Sequence, residues 1–293
     1  MARKNIFQII ASNNDMSREV DRIIRLFETE KTILVTTNSF HDNGDYTLYK
    51  FVKKYCFLGW KNRGHFIDYN DFIDTIDYNE MKESAKNDVN SFLTLIELLL
   101  NFWKMADTIV DHKKDYSFSV QFYDNYYQLY IILVDCLSQY NHAFFYNAET
   151  EQVLVIEDKP EVTAVAEIID DPLALPVIKY NHHLMKGDIS AKKDILLKLG
   201  SYLEGKKDEV KAINSKLDSN IFFMLNNLNL RHNNCDPSNK GKYNQAVAEM
   251  TDKTLEEWYD ELYQMILLVI LEMDNKERME KIDGLKKAIT GGN

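Results

Sequence analysis

Arg231, His232, Asn233 and Asn234 stand in a row where an apolar run beginning at Ile221 gives way to polar residues, with Pro237 just beyond. Together they supply a fixed cation, a titratable imidazole and two amides. In RNA cleavage a 2′-hydroxyl attacks its neighbouring phosphate. An imidazole near neutrality takes that proton, and a guanidinium stabilises the charge growing on the phosphorane. The catalytic candidates are therefore Arg231 and His232, with Asn233 and Asn234 holding the phosphate. Adjacent side chains on a helix diverge by about 100°, so Arg231 and His232 converge only in a non-helical turn or across a two-fold axis between two copies. The other reading is a helix terminus. There the arginine complements the dipole, the histidine caps carbonyls, and the asparagines end the helix and open a turn.

A second patch lies in residues 46–66, where Lys53, Lys54, Lys61, Arg63 and His65 alternate with aromatic residues. Basic groups interleaved with rings suit a single nucleic-acid strand, so Arg63 and His65 join the substrate-binding candidates. A solvated charged face is the alternative. His182 and His183 are adjacent rather than one helical turn apart, which argues against joint chelation from a helix face. His41, Asp42 and Asp45 surround an Asn-Gly turn, and Asx-turn chemistry accounts for them. No metal site and no cofactor is predicted. The glycine-rich phosphate loops, the zinc-protease helix motif, the nucleophile elbow and paired CxxC spacings are all missing from the chain.

These groups need elements to position them. Periodicity predicts a short helix over 16–30 capped by Ser17, a strand over 32–37, and a helix or strand over 46–60. Long amphipathic helices follow over 80–110 and 117–140, then a hairpin over 144–156. Residues 157–176 hold three of the four prolines and several acids, and mark a boundary segment between an N-terminal region, 1–156, and a helical domain, 177–293. In that domain a short helix closed by Gly187 precedes one over 190–205 opened by Asp188 or Ser190, and helical structure continues over 206–230. The last strong helix runs from Thr254, with Glu257 in a capping box, to about Asn275; the charged tail from Lys276 is expected to fray. Its central turns are apolar all round, the pattern of a helix buried or shared with an oligomer interface.

The fold class is thus mainly α, a C-terminal helical bundle with a small α+β N-terminal part. A 293-residue chain with 45% hydrophobic residues can bury a substantial core, and its net charge of −11 disfavours non-specific nucleic-acid binding. Three scattered cysteines, no secretory leader pattern and no apolar run near the ~20 residues a bilayer requires predict a cytoplasmic protein without a membrane anchor.

Two helices joined by a polar loop that starts at Arg231 resemble the HEPN superfamily over residues 177–275, on the strength of that arginine and the polar residues after it. In that family the motif histidine lies a few residues downstream of the arginine, where this chain has Cys235, Asp236 and Pro237; its histidine is His232. The resemblance implies a metal-independent ribonuclease of phage defence or a toxin–antitoxin pair, acting as a homodimer through the C-terminal helices, with RNA as partner. The competing expectation is a non-catalytic adaptor or immunity-type subunit whose acidic surface meets a protein partner.

Overall fold

The computed structural model describes residues 15–37, 43–112, 118–169 and 171–291. The chain divides into two compact units, Met1–Asp158 and Lys159–Asn293. Among the described residues there are 13 α-helices and two small antiparallel sheets, a mainly helical protein as its periodicity predicts. No helix among them is long and apolar enough to cross a membrane.

The first unit opens with α1 (Met16–Glu28). Its cap is Asp15, which accepts from the Ser17 N–H, rather than Ser17 itself. Strand β1 (Ile33–Thr37) lies between β2 (Gly44–Tyr46) and β3 (Phe118–Phe122), with Ile33 opposite both Tyr46 and Phe122. Its alternation is strict: Ile33 and Val35 are fully buried, whereas Thr36 is exposed. The sequence reading that ran one helix through 117–140 needs correction here. Phe118, Val120 and Phe122 follow a period of two and pair with β1, so helix α6 starts only at Asp124 and ends at Gln139.

Between β2 and β3 the chain forms α2 (Leu48–Phe51), a π-helical turn at Val52–Cys56, 3₁₀ turns at Phe57–Gly59 and Lys61–Arg63, α3 (Tyr69–Thr75), α4 (Tyr78–Ser84) and α5 (Val89–His112). The helix expected over 80–110 is therefore two, α4 and α5, separated at 85–88. The hairpin is present as β4 (His142–Asn147) and β5 (Gln152–Glu157), with His142 opposite Glu157. The turn residues His41 and Asp42 lie outside the described residues.

The second unit is all helical: α7 (Pro160–Ile168), α8 (Asp171–Tyr180), α9 (Ile189–Gly205), α10 (Lys207–Ile213), α11 (Ser215–Asn227), α12 (Gln245–Ala248) and α13 (Asp252–Thr290). Residues 157–176 are thus mostly helix, with Pro160 at the start of α7 and Pro176 inside α8. Asp188 caps α9 through the Ala191 N–H, and Asn214 separates α10 from α11, capping α11 through the Leu217 N–H. The core joins Leu196, Leu199 and Leu203 of α9, Ile221 and Leu225 of α11, and Tyr259, Leu262, Ile266 and Ile270 of α13.

Two expectations for the last helix change. Thr251, not Thr254, is its cap, accepting from the Thr254 N–H. The helix also runs on through the charged tail to Thr290, 39 residues in all. Ion pairs Arg278–Asp274 and Lys286–Asp283 at i,i+4 and i,i+3 spacing support that extension, and no proline interrupts it.

Candidate functional sites

Helix α11 ends at Asn227, and the loop that follows is closed by its own polar groups. Asn229 adopts a left-handed conformation (φ 55°), which asparagine tolerates better than most residues. The Asn229 N–H donates to the Asn234 side-chain oxygen at 3.0 Å, and the Asn234 amide donates to the Lys242 carbonyl at 2.8 Å. The Asn234 carbonyl in turn accepts from the Asn244 N–H at 2.9 Å. The residue is 1% exposed, so this amide spans the loop from inside and is closed to a substrate.

Arg231 is similarly engaged. Its Nη2 lies 2.9 Å from the Glu204 carboxylate and 3.4 Å from the Gly200 carbonyl, and its guanidinium carbon sits 5.4 Å from the centre of the Phe222 ring. The guanidinium expected to receive a phosphate thus clasps the loop to α9 and α11. Gly200 permits the close approach of those helices: a Cβ there would come within 2.8 Å of Leu225 Cδ2. His232 is half-buried and Asn233 exposed, and the Asn233 carbonyl accepts from the Asn239 amide. Of the four consecutive residues, Arg231 and Asn234 turn inward to hold the loop, while His232 and Asn233 stay nearer its surface.

Nearby, Lys192 is buried with its ammonium 2.7 Å from both Glu256 and Asp260, and Tyr180 donates to Asp260 at 2.9 Å. Burial pushes the Glu256 carboxyl up. The Gly187 N–H and the ammonium groups of Lys192 and Lys186 outweigh it and hold the group below its ordinary value.

Arg63 and His65 belong to the first unit. The Arg63 guanidinium donates to the Phe66 carbonyl at 2.9 Å, closing its own turn, and His65 is exposed. The same basic-aromatic segment does build something the sequence reading missed, a cavity of about 410 Å³. Tyr55 and Trp60 line it from the segment, and Tyr146 lines it from β4. Helix α5 contributes Asn101, Lys104, Met105, Thr108 and Ile109, whose spacing places them on one helical face.

The frame of this cavity is fixed. Trp60 is held among Phe57, Phe72 and Phe102 at ring separations of 5.8–6.4 Å. Asn101 bonds both the N–H and the carbonyl of Val153, and Asn62 donates to the Thr150 carbonyl in the hairpin turn. Two lysines stand at the lining: Lys61 pairs with Glu151 at 2.7 Å and Lys104 with Asp107 at 2.7 Å, the Lys104 ammonium also lying 5.0 Å from the Tyr146 ring centre. Each partner keeps 30% or more of its side chain exposed, so such pairs are worth only about 0–1 kcal/mol.

The third feature is the outer face of α13. Trp258, Leu268, Met279, Ile282, Leu285 and Ile289 are all solvent-exposed, from 42% at Ile282 to 71% at Ile289. Trp258, Met265 and Met279 fall at one position of a seven-residue repeat, and Leu268, Ile282 and Ile289 at the position three residues later. Glu272 and Lys286 at the first position, and Glu261 and Asn275 at the second, interrupt the same seam. A spacing of alternately three and four residues is that of a coiled-coil seam, and a polar residue within it fixes register. The single-chain core covers the opposite face through Tyr259, Leu262, Ile266 and Ile270.

No family model, no curated protein and no solved structure matches this chain.

Proposed function

We propose that this protein is a non-catalytic interaction protein that works as a pair of identical chains joined along α13. The observation that supports this reading is the exposed heptad seam from Trp258 to Ile289 on a helix whose other face is already filled as far as Met273 and which is exposed all round from Asn275. The occupant it fits best is a second copy. A parallel pairing sets Arg278 of one copy opposite Asp283 of the other across the flanking positions, an attractive pair, while Glu261, Glu272 and Lys286 each face their own counterpart and weaken the association. Asn275 meets its counterpart within the seam and specifies that register. A few apolar side chains per copy fall short of the roughly 1,200 Å² buried by stable complexes, so the association depends on concentration. The acidic balance of the chain, −11, then suits a basic protein partner of the pair.

Sedimentation velocity of the full chain over a range of concentrations tests the pairing. The wild type shifts from monomer to dimer as concentration rises, and Leu268→Glu with Ile282→Glu holds it monomeric without altering its melting temperature. A wild type that stays monomeric at several hundred micromolar, or a dimer indifferent to those substitutions, defeats the reading.

An RNA-directed second reading, an effector of phage defence or of a toxin–antitoxin pair, draws on the likeness to HEPN proteins at Arg231. It is favoured by His232 and Asn233, which lie toward the loop surface. Labelled RNA incubated in EDTA with wild type and with His232→Ala separates it from the first: cleavage by the wild type alone is what it requires.

A further inference from the structure

We infer that the cavity of the first unit is a binding site for a nucleoside monophosphate, a planar heterocycle joined to a phosphate dianion. Its volume of about 410 Å³ falls within the range of small-molecule sites, about 300–1,000 Å³. Three aromatic side chains line it, Tyr55 and Trp60 from one segment and Tyr146 from β4. Aromatic faces take any nucleobase by stacking, since each base has a π-face. Trp60 is well suited to that work because Phe57, Phe72 and Phe102 fix its ring. Gly59 leaves open space where a Cβ would stand, so the backbone beside Trp60 presents no obstruction.

The phosphate is placed by the lysines. Lys61 and Lys104 both line the cavity, and their present partners, Glu151 and Asp107, are half-buried carboxylates with 30% and 36% of their side chains exposed. Ion pairs that stay about one third exposed are partly screened by solvent, so each ammonium can turn to a dianion at modest cost, and charge-assisted bonds to phosphate are the stronger alternative. Thr108 donates its hydroxyl to the Lys104 carbonyl, which leaves the oxygen lone pairs to accept from a ribose hydroxyl or a base amine. A purely apolar ligand would leave the two ammonium groups only the partners they already have. A free anion would leave the three rings without a ligand to stack on. The site is independent of α13, so its failure leaves the pairing proposal standing.

Isothermal titration calorimetry of the full chain with adenosine 5′-monophosphate and uridine 5′-monophosphate tests the site, with adenosine and inorganic phosphate as separate arms. One molecule per chain is expected, with both monophosphates binding at least tenfold tighter than adenosine or phosphate alone. Trp60→Leu and Lys104→Met each weaken binding tenfold or more, whereas Glu151→Gln, which frees Lys61 and removes a negative charge, tightens it. Thermal melting shows whether each variant is folded. If Trp60→Leu unfolds, the opposite signs of Lys104→Met and Glu151→Gln still decide. Absence of binding at millimolar nucleotide, equal affinity for inorganic phosphate, or indifference to both lysine-site substitutions overturns the assignment.

Discussion

Replacing Arg231 by alanine tests whether the guanidinium holds the fold or waits for a substrate. In the structure it meets Glu204 at 2.9 Å and the Phe222 ring at 5.4 Å, with only 19% of its side chain exposed. The Glu204 carboxylate is 60% exposed, so solvent screening limits that pair to about 0.2–1 kcal/mol. The cation–ring contact adds about 0.5–1 kcal/mol. The Gly200 carbonyl at 3.4 Å is too distant to add much. Arg231→Ala should therefore cost about 1–2 kcal/mol, and a domain of this size then melts roughly 4–8 °C lower. Glu204→Gln should lower the melting temperature by less, and the double variant by less than the sum, because one contact is removed twice. Differential scanning calorimetry of the four proteins reads all three values. An Arg231→Ala protein that melts with the wild type, yet no longer binds or cleaves labelled RNA, would refute the clasp and return the guanidinium to phosphate chemistry.

Three further outcomes follow from single contacts. Gly200→Ala gains up to about 1 kcal/mol of helix propensity but forces a Cβ to within 2.8–2.9 Å of a fully buried Leu225; overpacking of about 1–3 kcal/mol wins, and urea midpoints show net destabilisation that Leu225→Ala relieves in part. Glu256 has a folded-state pKa below its unfolded one, so its contribution to stability is complete above the ordinary value of about 4.3 and is lost as pH falls through the depressed value. Melting temperatures should drop more steeply below about pH 4.3 in the wild type than in Glu256→Gln, and parallel curves would count against the Lys192 cluster. Among the three thiols, Cys235 is half-buried while Cys56 and Cys136 are buried, and burial pushes Cys136 up to about 12. A maleimide should label Cys235 first in the folded protein, and the other two only on unfolding.

What the chain by itself settled is its local order. Periods of 3.6 and 2 fix most helices, β1 and the β4–β5 hairpin, because one face of each must be apolar to be buried. Where the period is ambiguous, a contact distant in the chain decides it. Phe118, Val120 and Phe122 suit either a helix or a strand, and only pairing with β1 made them a strand. Lys276–Thr290 looked like a fraying tail, and helix-spaced ion pairs carry it on. The side-chain roles were decided in three dimensions. Arg231 and Asn234 were legible as a polar cluster. Whether their groups faced a groove or the loop's own carbonyls depended on Glu204, Gly200, Lys242 and Asn244, some of them 27 or 31 residues away in the chain. The cavity has no signature in the sequence because its walls come from the segment after α2, from α5 and from the β4–β5 hairpin, which no short-range pattern relates. The heptad seam of α13 was written in the sequence all along, but only packing could show which of its apolar faces the single-chain core left uncovered.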